Sequence, residues 1–268
     1  MIDIHSHSSF SPDSKESCED MVQYAIDNKL DIYGISDHFD LEMPNYLLPW
    51  PVPDIEEYSK KMLQLRQKTN DVKFLFGAEF GYSDIKEYLD EFVRLSNNYP
   101  FDYIINSVHI IEGDDGMDKR FFIGRTKQEA YKKGLDAIIR SVDAPYYFST
   151  IGHIEYMTRI APYEDKALRV EDFNEEFKTL FTKAINRQVA IEVNSKNIVF
   201  TNNVFAKASL DILKYYYDLG GRMITFGSDA HFKNDIARNY EYVAKTVKDL
   251  GFKEFTYFIN RQPKFIKI

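Results

Sequence analysis

Along this chain, short apolar runs with alternating spacing are interleaved with longer segments whose apolar positions recur every three or four residues. The short runs predict seven strands: Ile2 to His5, Asp31 to Ser36, Val72 to Ala78, Asp102 to Val108, Tyr146 to Ile151, Val189 to Val193 and Met223 to Gly227. The longer segments predict helices. The first starts at Ser17 as N-cap and carries the stripe Met21, Val22, Ala25, Ile26 and Leu30. A second runs from Asp54, spaced from Glu57 as in a capping box, to about Lys68. Others cover about Ile85–Asn97, Lys127–Ser141, Val170–Asn186, Val204–Leu219 and Asp235–Leu250. Between Phe39 and Pro53, four prolines remove backbone donors and predict a long loop, a candidate lid. Residues 110–125 predict a second loop, and 255–267 a small hairpin.

Strand–helix alternation with short connections implies parallel strands. Seven such units in 268 residues predict an α/β fold, a distorted (β/α)7 TIM-like barrel, with an open doubly wound sheet as the alternative. No internal repeat or composition break divides the chain, so a single domain over residues 1–268 with a short hairpin tail is expected. The glycine fingerprints of phosphate-binding loops are absent.

Composition narrows the function. Lys and Arg number 34 against 42 Asp and Glu, a net charge of −8 with no basic run, so nucleic acid is not an expected partner. Cys18 is the one cysteine, which excludes an intrachain disulfide and a thiolate zinc site; it reads as a small buried residue on a helix. No stretch approaches the ~18 apolar residues that span a bilayer. With the first strand starting at residue 2, a soluble cytoplasmic protein without membrane contact is expected, monomer or homo-oligomer undetermined.

In parallel α/β folds the site forms at the carboxyl ends of the strands. Those ends hold His5 and His7, His38, Glu79, His109, His153, Asn194, then Asp229 and His231, which include all six histidines. His5-x-His7 and Asp229-x-His231 each place two side chains on one side of an extended backbone. A single histidine at a strand end is ordinarily a packed residue, but the set points to metal. With Asp13, for which an Asx-turn in Ser-Pro-Asp-Ser is the alternative, nine nitrogen and oxygen ligands are available. That is too many for one ion and enough for three, and the donor types suit Zn, Mn or Fe.

The ordered motifs His5-x-His7, Ser36-Asp37-His38, Gly77-Ala78-Glu79, Ser107-Val108-His109, Gly152-His153 and Ser228-Asp229-Ala230-His231 resemble those of the PHP (polymerase and histidinol phosphatase) superfamily. The resemblance implies two or three divalent ions at the mouth of a distorted barrel. One would take His5, His7, Glu79 and Asp229. A second would take Glu79, His109 and His153, with Glu79 bridging, and a third Asp13, His38 and His231. Length and the Gly251–Pro263 tail look most like the histidinol-phosphatase branch. This implies hydrolysis of L-histidinol phosphate, a small phosphorylated metabolite of histidine biosynthesis. A metal-bridging hydroxide would attack phosphorus, and Asp229 or His231 would protonate the leaving alkoxide. Arg159 matches a phosphate-binding position of that branch. Lys196 stands where the branch places a basic residue, as a point charge rather than a fork. The acidic run Glu112 to Asp118, with Glu112 singled out, is a candidate partner for the substrate ammonium, and Trp50, Phe121 or Phe122 for its ring. The alternatives are another substrate for the same chemistry, phosphotyrosine or a small nucleotide, and a non-catalytic metal-binding module.

Overall fold

Each predicted apolar run contributes a strand, in most cases a shorter one. In the computed structural model, which describes residues 1–199 and 205–268, the order begins β1 (Ile2–Asp3), α1 (Cys18–Asp27), β2 (Ile32–Ile35), β3 (His38–Phe39), α2 (Ile55–Lys68), β4 (Lys73–Phe76), β5 (Glu79–Gly81) and α3 (Lys86–Asn98). It continues β6 (Ile105–Ser107), β7 (Ile110–Ile111), β8 (Asp114–Asp115), α4 (Lys127–Ser141), β9 (Thr150–Ile151), α5 (Asn174–Arg187), β10 (Ala190–Asn194) and the short α6 (Lys196–Val199). It ends α7 (Lys207–Asp218), β11 (Ile224–Gly227), α8 (Tyr240–Asp249), β12 (Glu254–Ile259) and β13 (Gln262–Lys267). The predicted start of α7 at Val204 lies outside the described residues.

The architecture is mixed α/β with parallel strands. One sheet runs β1-β2-β4 and another β11-β10-β9-β6-β5-β3, every pair parallel. Gly77 N donates to Ile35 O (3.0 Å) and Glu79 N to Asp37 O (3.0 Å), joining β2 to β4 and β3 to β5 across the break between the sheets. At the other end Ile4 N donates to Phe226 O (3.2 Å) and Asp229 N to His5 O (2.8 Å), so β11 returns to β1.

The strands are short because polar side chains take over the ladder. At Asp37 the backbone N–H donates to Tyr58 OH (3.2 Å) and the carboxylate accepts from Ser8 N, Ser8 Oγ and Ser11 Oγ, each at 2.6 Å, in the gap between β2 and β3. Asp102 accepts from Phe76 N (2.9 Å) and Asn260 N (2.9 Å), which delays β6 to Ile105 and fixes the terminal hairpin. One loop expectation needs correction, since 110–125 contains the antiparallel hairpin β7–β8; the stretch from Asp40 to Pro53 is a loop as expected, with a single 3-10 turn at Asn45–Leu47. Ser17 caps α1 and Asp54 caps α2 as predicted, while the reciprocal capping box forms at Thr126 and Glu129 on α4. The helix stripes and strands share one buried cluster, from Ile2 to Phe258.

Candidate metal centre

β1 delivers His5 and His7 to the same side of the chain, with ring centroids 5.1 Å apart and both residues fully buried. The adjacent return of β11 places Asp229 and His231 beside them: His7 Nε2 lies 3.5 Å from Asp229 Oδ1, and the His7 and His231 rings are 4.3 Å apart. Asp229 has a left-handed backbone (φ 55°), an uncommon state for a non-glycine residue that turns its carboxylate back toward β1.

Glu79, at the start of β5, is the hub. Its Oε2 lies 3.3 Å from His5 Nε2, 3.6 Å from His7 Nε2 and 3.0 Å from His38 Nδ1. Its Oε1 lies 2.9 Å from His153 Nε2 and 3.3 Å from His109 Nε2. Asp13 Oδ2 accepts from His231 Nε2 at 2.8 Å and lies 3.7 Å from His38 Nε2. Four groups can each hold an ion through mutually close atoms: His7, His38 and His231; His5, His7 and Asp229; His5, Glu79 and His153; His38, Glu79 and His109.

Nε2 of His5 and His7, Nδ1 of His38 and Oε2 of Glu79 are buried without a hydrogen-bond partner. Buried polar atoms are ordinarily satisfied, so this crowd of lone pairs fits cations. The electrostatics agree. Burial pushes the Glu79 carboxyl up, yet the imidazoles of His5, His38 and His109 outweigh it and hold the group well below its usual range. Burial lowers His109, but Asp40 and Glu79 lift it to about 10. Burial, with the neighbouring His38 and His231, instead holds His7 well below its usual range, and burial lowers His153, so the imidazoles of the cluster do not all charge together.

Two carboxylates missed by sequence reasoning orient the imidazoles. His5 Nδ1 donates to Glu192 Oε1 (2.5 Å), leaving Nε2 as the ligand atom. The other Glu192 oxygen accepts from His153 N (2.7 Å) and Asn194 Nδ2 (3.1 Å). His109 Nδ1 donates to Asp40 Oδ1 (2.7 Å). Glycines make room for both acids. A Cβ on Gly227 would sit 2.2 Å from Glu192 Oε1, and one on Gly81 1.8 Å from Asp40 Oδ1. Signals existed: Glu192 is the lone charge inside the apolar run Val189–Val193, and Asp40 shares the two-residue spacing from His38.

A cavity of about 190 Å³ opens onto this cluster, lined among others by Trp50, Asp115, Tyr156, Arg159, Lys196 and His231. Arg159 is 6% exposed and so is not an exposed surface pair; Nη1 lies 3.2 Å from Asp229 Oδ2, and Nε donates to Asn197 Oδ1 at 2.7 Å. Lys196 Nζ lies 3.0 Å from Asp229 Oδ1 and 3.2 Å from His231 Nδ1. Glu112 is not brought to the others. It sits at the β7–β8 turn with φ 55°, paired to Lys133 (2.5 Å) and Arg125 (3.4 Å), because hairpin register points it away. Phe121 and Phe122 are buried in the core, whereas Trp50 reaches the cavity, 6.0 Å between its ring centroid and that of His38.

Comparison with known proteins follows the same lines. A protein of Clostridium acetobutylicum named "Probable histidinol-phosphatase" is 27% identical over 265 residues, covering 99% of both chains. The histidinol-phosphatase of Lactococcus lactis subsp. lactis (strain IL1403) is 28% identical over 280 residues, covering 99% of this chain and 98% of that protein. The crystal structure of Lactococcus lactis histidinol phosphate phosphatase, complexed with zinc, L-histidinol and phosphate, superposes with a TM-score of 0.88 at 26% identity over 98% of each chain. Among the described residues no helix is long and apolar enough to cross a membrane. Residues 3–196, most of the chain and nearly all of the strand-end motifs, match the PHP domain, and this protein belongs to the PHP domain family.

Proposed function

We propose that this chain is a metal-dependent phosphomonoesterase, a cytoplasmic enzyme of histidine biosynthesis that hydrolyses L-histidinol phosphate to L-histidinol and phosphate and takes no nucleic acid. The observation that carries the reading is the crowd of buried, unpartnered ligand atoms at the base of a cavity that Arg159, Lys196 and the ligand candidates His38, His109, His153, Asp229 and His231 line. Two near-full-length relatives with the histidinol-phosphatase name, and a neighbour holding zinc, L-histidinol and phosphate, support the substrate. The return of β11 to β1 supports a distorted (β/α)7 barrel forming one domain over residues 1–268.

The donors fit Zn, Mn or Fe. His5, His7, Glu79 and Asp229 would hold one ion, Glu79, His109 and His153 a second, and Asp13, His38 and His231 a third. Bound there, divalent cations acidify water toward neutral pH and offset charge on phosphoryl oxygens. The chain's own residues do the rest. Arg159 and Lys196, held together at Asp229, bind the phosphoryl group. Asp229 or His231 would take up the proton released by the attacking water and pass it to the departing alkoxide. The cavity wall around Trp50 limits water.

The test is phosphate release by purified enzyme of known metal content, on L-histidinol phosphate, phosphotyrosine peptide and nucleotide monophosphates, with and without chelator. The expected result is a preference for L-histidinol phosphate, lost with chelator and in Glu79→Gln. A faster rate on a rival substrate reassigns the substrate, and chelator-resistant turnover removes the metal mechanism.

A further inference from the structure

The cavity has a second pole. In the acidic run after His109, Glu112 pairs with Arg125 and Lys133, Asp114 with Arg125, and Asp118 with Arg120. Among the described residues, Asp115 alone of this run has no cation within ion-pair distance, and it lines the cavity. Its position is fixed. Ile110 pairs with Asp115 across β7–β8, and Gly116 N donates to His109 O (2.8 Å), so the hairpin folds Asp115 back over the metal centre. One carboxylate oxygen accepts from Met117 N (2.7 Å) and Tyr156 OH (3.2 Å). The Tyr156 ring lies 5.0 Å from His109 and 4.9 Å from His153, centroid to centroid, with the Arg159 guanidinium 5.4 Å from its centre. One tyrosine thus separates a guanidinium that suits phosphate from a carboxylate that suits a cation. Beside Asp115, Trp50, Met43, Leu47 and Met117 supply an apolar wall, and the buried indole Nε1 of Trp50 has no hydrogen-bond partner.

We infer that Asp115 is the specificity-determining residue of this site, binding the ammonium of an amino-alcohol phosphomonoester while the phosphate lies at Arg159 and Lys196. This rests on the reading of the site as a histidinol-phosphate phosphatase. It assigns to Asp115 the contact that the sequence leaves to the acidic run Glu112 to Asp118, with Glu112 singled out.

The experiment compares metal-loaded wild type and Asp115→Asn on L-histidinol phosphate and on the same ester lacking the amine, with L-histidinol binding by calorimetry as a readout independent of turnover. Asn keeps an acceptor for Met117 N and Tyr156 OH, and equal melting temperatures verify the fold. A charge-assisted hydrogen bond lost to a neutral amide predicts that kcat/KM on L-histidinol phosphate falls about 10- to 100-fold, chiefly through KM. L-histidinol binding should weaken alike, while the amine-free ester stays within about 2-fold. Equal losses on both esters, no loss on either, or a wild type indifferent to the amine overturns the inference and leaves the phosphatase reading standing. Hydrolysis of neither ester by wild type overturns both.

Discussion

At the residue scale, the centre depends on side chains outside the set of nine ligand candidates. Glu192 fixes His5 through its ring and His153 through its backbone, and Asp40 fixes His109. Losing such an orienting carboxylate costs about 10- to 100-fold in metal affinity. Glu192→Gln and Asp40→Asn should therefore retain metal poorly in competition with a chelator and recover activity in excess metal. Undiminished affinity would show that the imidazoles are held by packing alone. Cys18 behaves differently. Burial, helped by the Asp37 carboxylate, pushes its thiol from 9.0 up to about 12. The folded chain then keeps a proton that the unfolded chain releases above pH 9. The stabilisation is full below pH 9 and is lost as pH rises toward 12, by at most about 1.4 kcal/mol per pH unit. Alkylation by iodoacetamide at pH 8.5 should be slow in buffer and complete in urea. Rapid labelling of the native protein would show an accessible thiolate.

At the scale of elements, strand ends are built for the acids behind them. The absent Cβ of Gly227 on β11 leaves the space that Glu192 on β10 fills, only 2.5 Å from where His5 Cβ also stands. Gly227→Ala forces these apart, and overpacking of this kind costs about 1–3 kcal/mol. Its melting temperature should fall by several degrees and its metal affinity with it. A variant that melts lower but binds metal normally would separate packing from ligand placement. The sequence announced these elements unevenly. Helix caps at Ser17 and Asp54 were legible because the signal is local, and the Thr126–Glu129 box carries a signal of the same kind that sequence reasoning missed. Strand ends were not, since Asp37 and Asp102 bond to partners more than 25 residues away.

At the scale of the whole molecule, the candidate ligands come from both ends of the chain, and adjoining β1 and β11 bring His7 and His231 together. Ions shared among such distant segments bind only the folded state, so they stabilise it by mass action. Metal at about 100 times its dissociation constant contributes about 2.7 kcal/mol. For a chain of this size the melting temperature should rise by about 5–10 °C over the chelated protein. No difference would mean that the centre does not bind ions at that concentration.

What the sequence alone determined is the alternation of strand and helix, written in apolar periodicity, and the presence of every histidine at a strand end, because both are local properties of the chain. The tertiary structure decided which carboxylates matter. Glu192 and Asp40 acquire their partners only when separate strands align, and Asp115 rather than Glu112 faces the cavity because hairpin register chooses which acid of a run turns inward. Register and long-range pairing follow from the whole folded chain, and no short window of residues contains them.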